Sequence, residues 1–203
     1  MGAIRIAIVA GEASGDLLGS HLVTALRERL PQAEFIGIAG PKMIAAGVRS
    51  LFPMERLSVI GFHEVIRNLF SLLAMRRELK RKIVAFQPHV YIGVDAPDFN
   101  FGVERALRKR GIATVHFASP SIWAWRGGRI RKIKRAVDHM LVLYPFEKAI
   151  YDKAGIAATY VGHPMADTIP LEDQRVAVRE QLKLSQSAQI VALLPGSRRS
   201  ELH

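Results

Sequence analysis

The sequence predicts an α/β protein with a Rossmann-like parallel sheet, and three observations carry that expectation. Short apolar runs alternate with segments of helical periodicity along most of the chain. Most of the runs are continuously apolar rather than alternating, as in strands covered on both faces. Polar or glycine-rich turns follow several of them, and open α/β sheets collect ligands at the carboxyl ends of their strands.

The first strand is expected at 4–10, where Arg5 alone interrupts the apolar run. A helix follows at 17–30, because Leu18, Leu22, Ala25 and Leu26 recur at helical spacing. Residues 35–39 form the next apolar run. Region 62–84 predicts a long helix, in which Phe62, Val65, Ile66, Leu69, Phe70, Leu72, Leu73 and Met75 cover more than one stripe. Strands at 90–94, 114–118, 140–143 and 159–161 then alternate with helices at 99–110, 128–136 and 146–154. Gly47, Gly111 and Gly155 stand where helices should stop, since glycine enters the left-handed C-cap without steric cost. With right-handed crossovers this order makes a doubly wound sheet. Residues 1–170 are expected to form that domain. From 171 a linker, a helix at 174–182 and a strand at 190–194 are expected to open a second one.

Composition narrows the function. Of 203 residues 49% are hydrophobic and 23% charged, which supplies a large core and argues against disorder. There is no cysteine, which excludes thiolate metal sites, cysteine nucleophiles and disulfides. Glu12 and Asp16 interrupt the N-terminal apolar run too early for a secretion signal, and no run is long enough to span a bilayer. Lys and Arg number 29 against 18 Asp and Glu, a net charge of +11 that calls for an anionic partner. The excess is concentrated in 67–82 and in 126–135, the second stretch carrying no acid.

Candidate site residues cluster after predicted strands. The turn Gly11-Glu12-Ala13-Ser14-Gly15-Asp16 lacks both the dinucleotide fingerprint and the P-loop lysine, yet its small residues let a ligand approach the backbone. It reads equally as a tight turn with Ser14 or Asp16 capping a helix. In Asp95-Ala96-Pro97-Asp98-Phe99-Asn100, two carboxylates flank a stiff proline. Asp98 is either a helix N-cap or a general base, and partial burial would suit the second role. Ser119, Trp123 and Trp125 precede a basic helix and suit a sugar face, although indoles are as readily buried under a loop. His163 follows a short strand and could reach a phosphate or be structural. Gly196, Ser197 and Arg198 form a turn of the kind that cradles phosphate.

The apolar excess of 62–75 beside a basic run is what an interfacial membrane contact requires, with Leu69, Phe70, Leu72, Leu73, Arg76 and Arg77 as its contact residues. A helix covered by other parts of the protein, its charges merely solvated, explains the same pattern. Nucleic acid is not expected, because no aromatic residues interleave with the basic runs.

Taken in order, Gly11 to Asp16, Val94 to Asn100, Ser119 to Arg126, Gly162-His163-Pro164 and Pro195 to Arg198 resemble the motifs of the lipid-A-disaccharide synthase family. The resemblance runs along the whole sequence but covers only the front part of the family's length. It implies a glycosyltransferase of two Rossmann domains (the GT-B type), of which this chain would supply the acceptor side. It further implies inverting transfer from UDP-2,3-diacylglucosamine to 2,3-diacylglucosamine 1-phosphate, releasing UDP, without metal or cofactor. The setting would be the cytoplasmic face of the bacterial inner membrane, with anionic lipid and a full-length homodimer as the partners to consider. By the motifs, Asp98 is the base or an otherwise essential carboxylate, Glu12 belongs to its site, and Arg198 lies near the donor phosphates. Gly11, Ser14, Gly15, Asp95, Asn100, Ser119, Trp123, Trp125, His163, Gly196 and Ser197 would line the substrates. The isolated chain is then expected to be inactive. Two alternatives stand beside this one: another sugar-nucleotide enzyme of the same architecture, and a non-enzymatic basic module that binds membrane or RNA.

Overall fold

The computed structural model describes residues 3–58, 62–124 and 127–194, with the backbone alone at 58 and 62–70. In chain order the first elements are β1 (Arg5–Ala10), α1 (Ala13–Arg29), β2 (Glu34–Ala39), α2 (Pro41–Ala45), β3 (Arg49–Pro53), α3 (Glu55–Ser58) and α4 (Phe62–Phe86). Next come β4 (Val90–Val94), α5 (Pro97–Arg108), β5 (Ala113–Phe117) and a 3-10 turn at Gly127–Arg129 that leads into α6 (Ile130–Ala136). Then follow β6 (His139–Val142), α7 (Pro145–Lys153), β7 (Ala157–Tyr160), α8 (Met165–Thr168) and α9 (Arg175–Gln181). The strands form one seven-stranded sheet in the order β3-β2-β1-β4-β5-β6-β7, every pair parallel.

The expected Rossmann-like sheet is therefore present. Its continuous apolar runs are buried on both faces: Ile6 to Ala10 are at most 2% exposed, and Ile36, Ile38, Tyr91 and Val94 join them in the core. The order reverses at β1, where β2 pairs on one side and β4 on the other. Right-handed crossovers put α1 and α2 on one face of the sheet and α4, α5 and α6 on the other. Contacts agree, with α1 on α2 and α5 against both α4 and α6. In α4 the inward stripe is Met75, Leu79 and Ile83, each at most 3% exposed, with Leu72 half-buried beside it. Burying each of these side chains contributes about 1.5–3 kcal/mol before entropy is charged.

Gly47, Gly111 and Gly155 all have positive φ, at 103°, 77° and 65°, as expected of helix-ending glycines. Four short elements lie outside the expected pattern. Strand β3 sits at the sheet edge and ends in Pro53, which weakens both the apolar signal and the ladder it can join. Helices α2, α3 and α8 are too short to display a period.

By compactness the chain divides into Met1–Gly162, which holds the sheet, and His163–His203. In the second unit α8 and α9 form, but the strand expected at 190–194 does not. Val191, Leu193 and Leu194 are at least 85% exposed there. A strand needs a neighbour for its backbone hydrogen bonds, and none pairs with this segment among the described residues.

Candidate active site

At the reversal of strand order the turn after β1 meets the turn after β4, the crevice where this architecture places ligands. Their approach is close enough to dictate composition. A Cβ on Gly11 would lie 2.7 Å from the Cβ of Ala96, and one on Gly15 would lie 3.2 Å from the Val94 carbonyl oxygen. Across the gap the Ser14 hydroxyl donates to Asp95 Oδ2 at 3.3 Å. Glu12 is half-buried at the start of α1, as its extended N-cap with φ −145°.

The β4 turn is bent by Asp95 and Ala96, both left-handed with φ of 53° and 43°. Such residues cost about 1–3 kcal/mol each and persist only where surrounding contacts enforce them. Asn100 supplies the enforcement. Its amide nitrogen donates to the carbonyls of Asp95 (2.8 Å) and Val9 (3.3 Å), while its oxygen accepts from the Tyr91 hydroxyl at 2.8 Å. Asn100 is fully buried, so it shapes the turn from beneath instead of lining the substrate face. Burial holds the Tyr91 phenol well above its ordinary range, with the nearby Glu104 adding to the effect, so that hydroxyl remains a donor.

The N-caps differ from expectation. Neither Ser14 nor Asp16 caps α1, and Ala96 rather than Asp98 caps α5. Asp16, 2% exposed, accepts instead from the backbone N–H groups of Lys42 (2.9 Å) and Met43 (3.0 Å), satisfying the start of α2. Asp98 sits in the first turn of α5 behind Pro97. Its side chain is 80% exposed, not partly buried, and its Oδ1 accepts from Arg129 Nη2 at 2.6 Å. Arg129 itself is only 19% exposed, so the pair has a fixed and an open end. Asp98 Oδ2 has no hydrogen-bond partner among the described residues, and Asp98 lines a cleft of about 850 Å³ between α5 and α6. The sequence marked 126–135 as basic without identifying Arg129 as the partner of Asp98, because that contact joins residues 31 apart.

Beyond β5, Ser119 shares a 2.7 Å hydrogen bond with the Tyr151 hydroxyl. Burial, opposed by that bond, pushes the Tyr151 phenol up to about 12. Trp123 is 54% exposed and meets Phe146 edge-on at 5.4 Å, while Tyr144 stacks on Phe146 at 5.8 Å. These aromatics form a surface platform at the ends of β5 and β6; in the sequence Phe146 reads as the start of a helix, and no local pattern marks Tyr144. His163 accepts from the Met165 backbone at 3.2 Å in the second unit. Trp125, Gly196, Ser197 and Arg198 lie outside the described residues.

On the basic helix α4 the expected contact residues divide. Leu73 and Arg77 face outward, whereas Leu72 packs on the core and Arg76 turns inward over Phe99, 5.6 Å from the ring centroid. Burial pulls the Arg76 guanidinium below its ordinary value. Leu69 and Phe70 belong to the stretch whose side chains are not described. Among the described residues no helix is long and apolar enough to cross a membrane, and no group of His, Asp and Glu is arranged to hold a metal.

Comparison with known proteins narrows this geometry. A family model described as lipid-A-disaccharide synthetase matches residues 6–203. The chain is 59% identical to the lipid-A-disaccharide synthase of Methylobacillus flagellatus, over 97% of this chain and 52% of that protein. It is 56% identical to that of Paraburkholderia phytofirmans, over 98% of this chain and 51% of the relative. The corresponding protein of Dechloromonas aromatica is 54% identical over 98% of this chain and 52% of its own length. The chain thus spans about half the length of the curated relatives it matches.

Proposed function

Because the chain belongs to the lipid-A-disaccharide synthetase family, we propose that it is the acceptor-side half of a GT-B glycosyltransferase of lipid A synthesis. The family match along residues 6–203 carries this reading. In the whole protein UDP-2,3-diacylglucosamine donates its sugar to the 6-hydroxyl of 2,3-diacylglucosamine 1-phosphate, with inversion and loss of UDP. Asp98 takes the hydroxyl proton through its open oxygen while Arg129 holds the other, which fixes the carboxylate's direction. Attack comes from the face opposite the departing diphosphate, and Arg198 with neighbouring backbone amides stabilises the charge that develops there. Glu12, Ser14 and Asp95 line the crevice floor, and Trp123 presents an apolar face to the sugar or its chains. The reading needs no metal or cofactor, the UDP-sugar being a substrate.

Both substrates carry acyl chains, so the enzyme works against the cytoplasmic face of the inner membrane. Leu69, Phe70 and Leu73 enter the interface while Arg77 meets anionic headgroups. The decisive experiment is a transfer assay on the full-length protein with Asp98→Asn alongside. Transfer should depend on the acyl chains and fall by at least about a hundredfold in the variant. Near-normal turnover in Asp98→Asn would remove its role as base, and a preference for deacylated sugars would favour a different sugar-nucleotide enzyme. Loss of anionic-vesicle binding in Leu69→Ser/Phe70→Ser tests the membrane surface, and unchanged binding would defeat it.

A further inference from the structure

We propose that the cleft between α5 and α6 is a phosphomonoester site, and that it holds the phosphate of the saccharide that accepts the transferred sugar. The assignment rests on the transferase reading given above. Two helix faces build the cleft. From α5 come Asp98, Gly102 and Arg105; from the turn before α6 and from α6 itself come Arg129, Lys132 and Arg135. Steps of four and three residues from Asp98 through Gly102 to Arg105, and of three from Arg129 through Lys132 to Arg135, put each set on one side of its helix. Four cations therefore face one carboxylate, and that carboxylate is already engaged by Arg129. Arg105, Lys132 and Arg135 have no acid within ion-pair distance among the described residues.

Gly128 leaves its side of the cleft open, with nothing within 4 Å of an added Cβ, whereas the space over Gly102 is filled by the Arg76 guanidinium. From Asp98 to Arg105 is seven residues, about 10 Å along the helix axis. That length accommodates a hydroxyl at the carboxylate, one pyranose ring, and a phosphate among the cations. A dianionic phosphate suits the surplus charge, and arginine forks suit its oxygens. A basic groove on the other flank of α5, lined by Arg77, Lys80, Arg81, Lys109 and Arg110, has no such arrangement. Its one acid, Glu78, is paired with Arg81 and Lys82, and the groove offers no reacting group at either end.

The test has a binding arm and a kinetic arm. In the first, amide shifts are followed as this chain is titrated with glucosamine 1-phosphate, inorganic phosphate and glucosamine. Both phosphates should move the Gly102, Gly128 and Arg129 signals, with glucosamine leaving them in place. Lys132→Gln/Arg135→Gln should weaken phosphate binding at least about tenfold, since two charged partners are lost. Shifts elsewhere, equal shifts with glucosamine, or an unaltered affinity in the double variant would overturn the site. In the second arm the same variant of the full-length protein should show KM for the 1-phosphorylated acceptor raised at least about tenfold. Its kcat should stay within about twofold, with KM unchanged for the acceptor lacking phosphate. Normal transfer with KM unaltered, or raised equally for both acceptors, refutes this site alone. Absence of any sugar transfer by the full-length protein refutes the transferase reading, and with it the identity of the bound saccharide.

Discussion

Gly11 and Ala96 constrain one another across the crevice. With 2.7 Å between a Cβ at 11 and the Ala96 methyl, Gly11→Ala overpacks two turns that cannot both yield, at a cost of about 1–3 kcal/mol. Ala96 is left-handed, so Ala96→Gly removes both the colliding methyl and a strained side chain. The double variant should regain most of the lost stability, which urea denaturation of the two singles and the double will measure. A double variant no more stable than Gly11→Ala would mean that the contact is not the cause. Asn100→Ala leaves the Asp95 carbonyl and the Tyr91 hydroxyl without their partner in the interior. A loss of at least about 2 kcal/mol is expected, because buried groups left unsatisfied cost about 1–3 kcal/mol each. Thermal unfolding checks it.

Short elements depend on residues distant in sequence. Helix α2 has five residues, too few to hold itself, and it starts on the carboxylate of Asp16 from α1. Asp16→Ala should destabilise the protein by about 1–2 kcal/mol and raise amide exchange first at Lys42 and Met43. Exchange rising uniformly, with no local excess there, would count against the cap. The long helix α4 shows how one basic pattern serves two ends. Its inward stripe, with Arg76 folded over Phe99, secures the helix to the sheet, and Arg77 and Arg81 remain outside. The segment 190–194 shows the reverse, since an apolar run alone does not make a strand.

Across the folded molecule, buried acids set the pH response. Glu104 and His116 are both wholly buried and joined at 2.7 Å, in contact through Phe101 with the α5 side of the cleft. Burial raises the Glu104 carboxyl above 4.5, and its bond to His116 offsets only part of that. The folded state therefore keeps this proton longer than the unfolded chain. Its contribution to stability is full below the ordinary value of 4.5 and is lost as pH rises through the folded value. Denaturation midpoints from pH 4 upward should show Glu104→Gln gaining on the wild type as pH rises. A constant difference would place the raised value in doubt. Tyr151 behaves alike in the alkaline range, losing its contribution between 10 and about 12, and Tyr151→Phe should flatten that limb.

The parallel sheet was legible in the sequence because its strands are covered on both faces and so appear as continuous apolar runs, and because Gly47, Gly111 and Gly155 mark helix ends through a local backbone need. The glycine-rich turn at 11–16 and the carboxylates at 95 and 98 were legible for the same reason, as local chemistry at strand ends. Tertiary structure alone decided what those residues do to one another. It buried Asn100 as a brace, spent Asp16 on a helix 26 residues away, left Asp98 exposed, and gave that carboxylate an arginine 31 residues further on. Strand order brings the β1 and β4 turns together and lays α5 against α6, and no local pattern of side chains encodes which strands become neighbours. The physical reason is that periodicity records which face of an element is buried, whereas pairing, strain and charge partners depend on what covers that face.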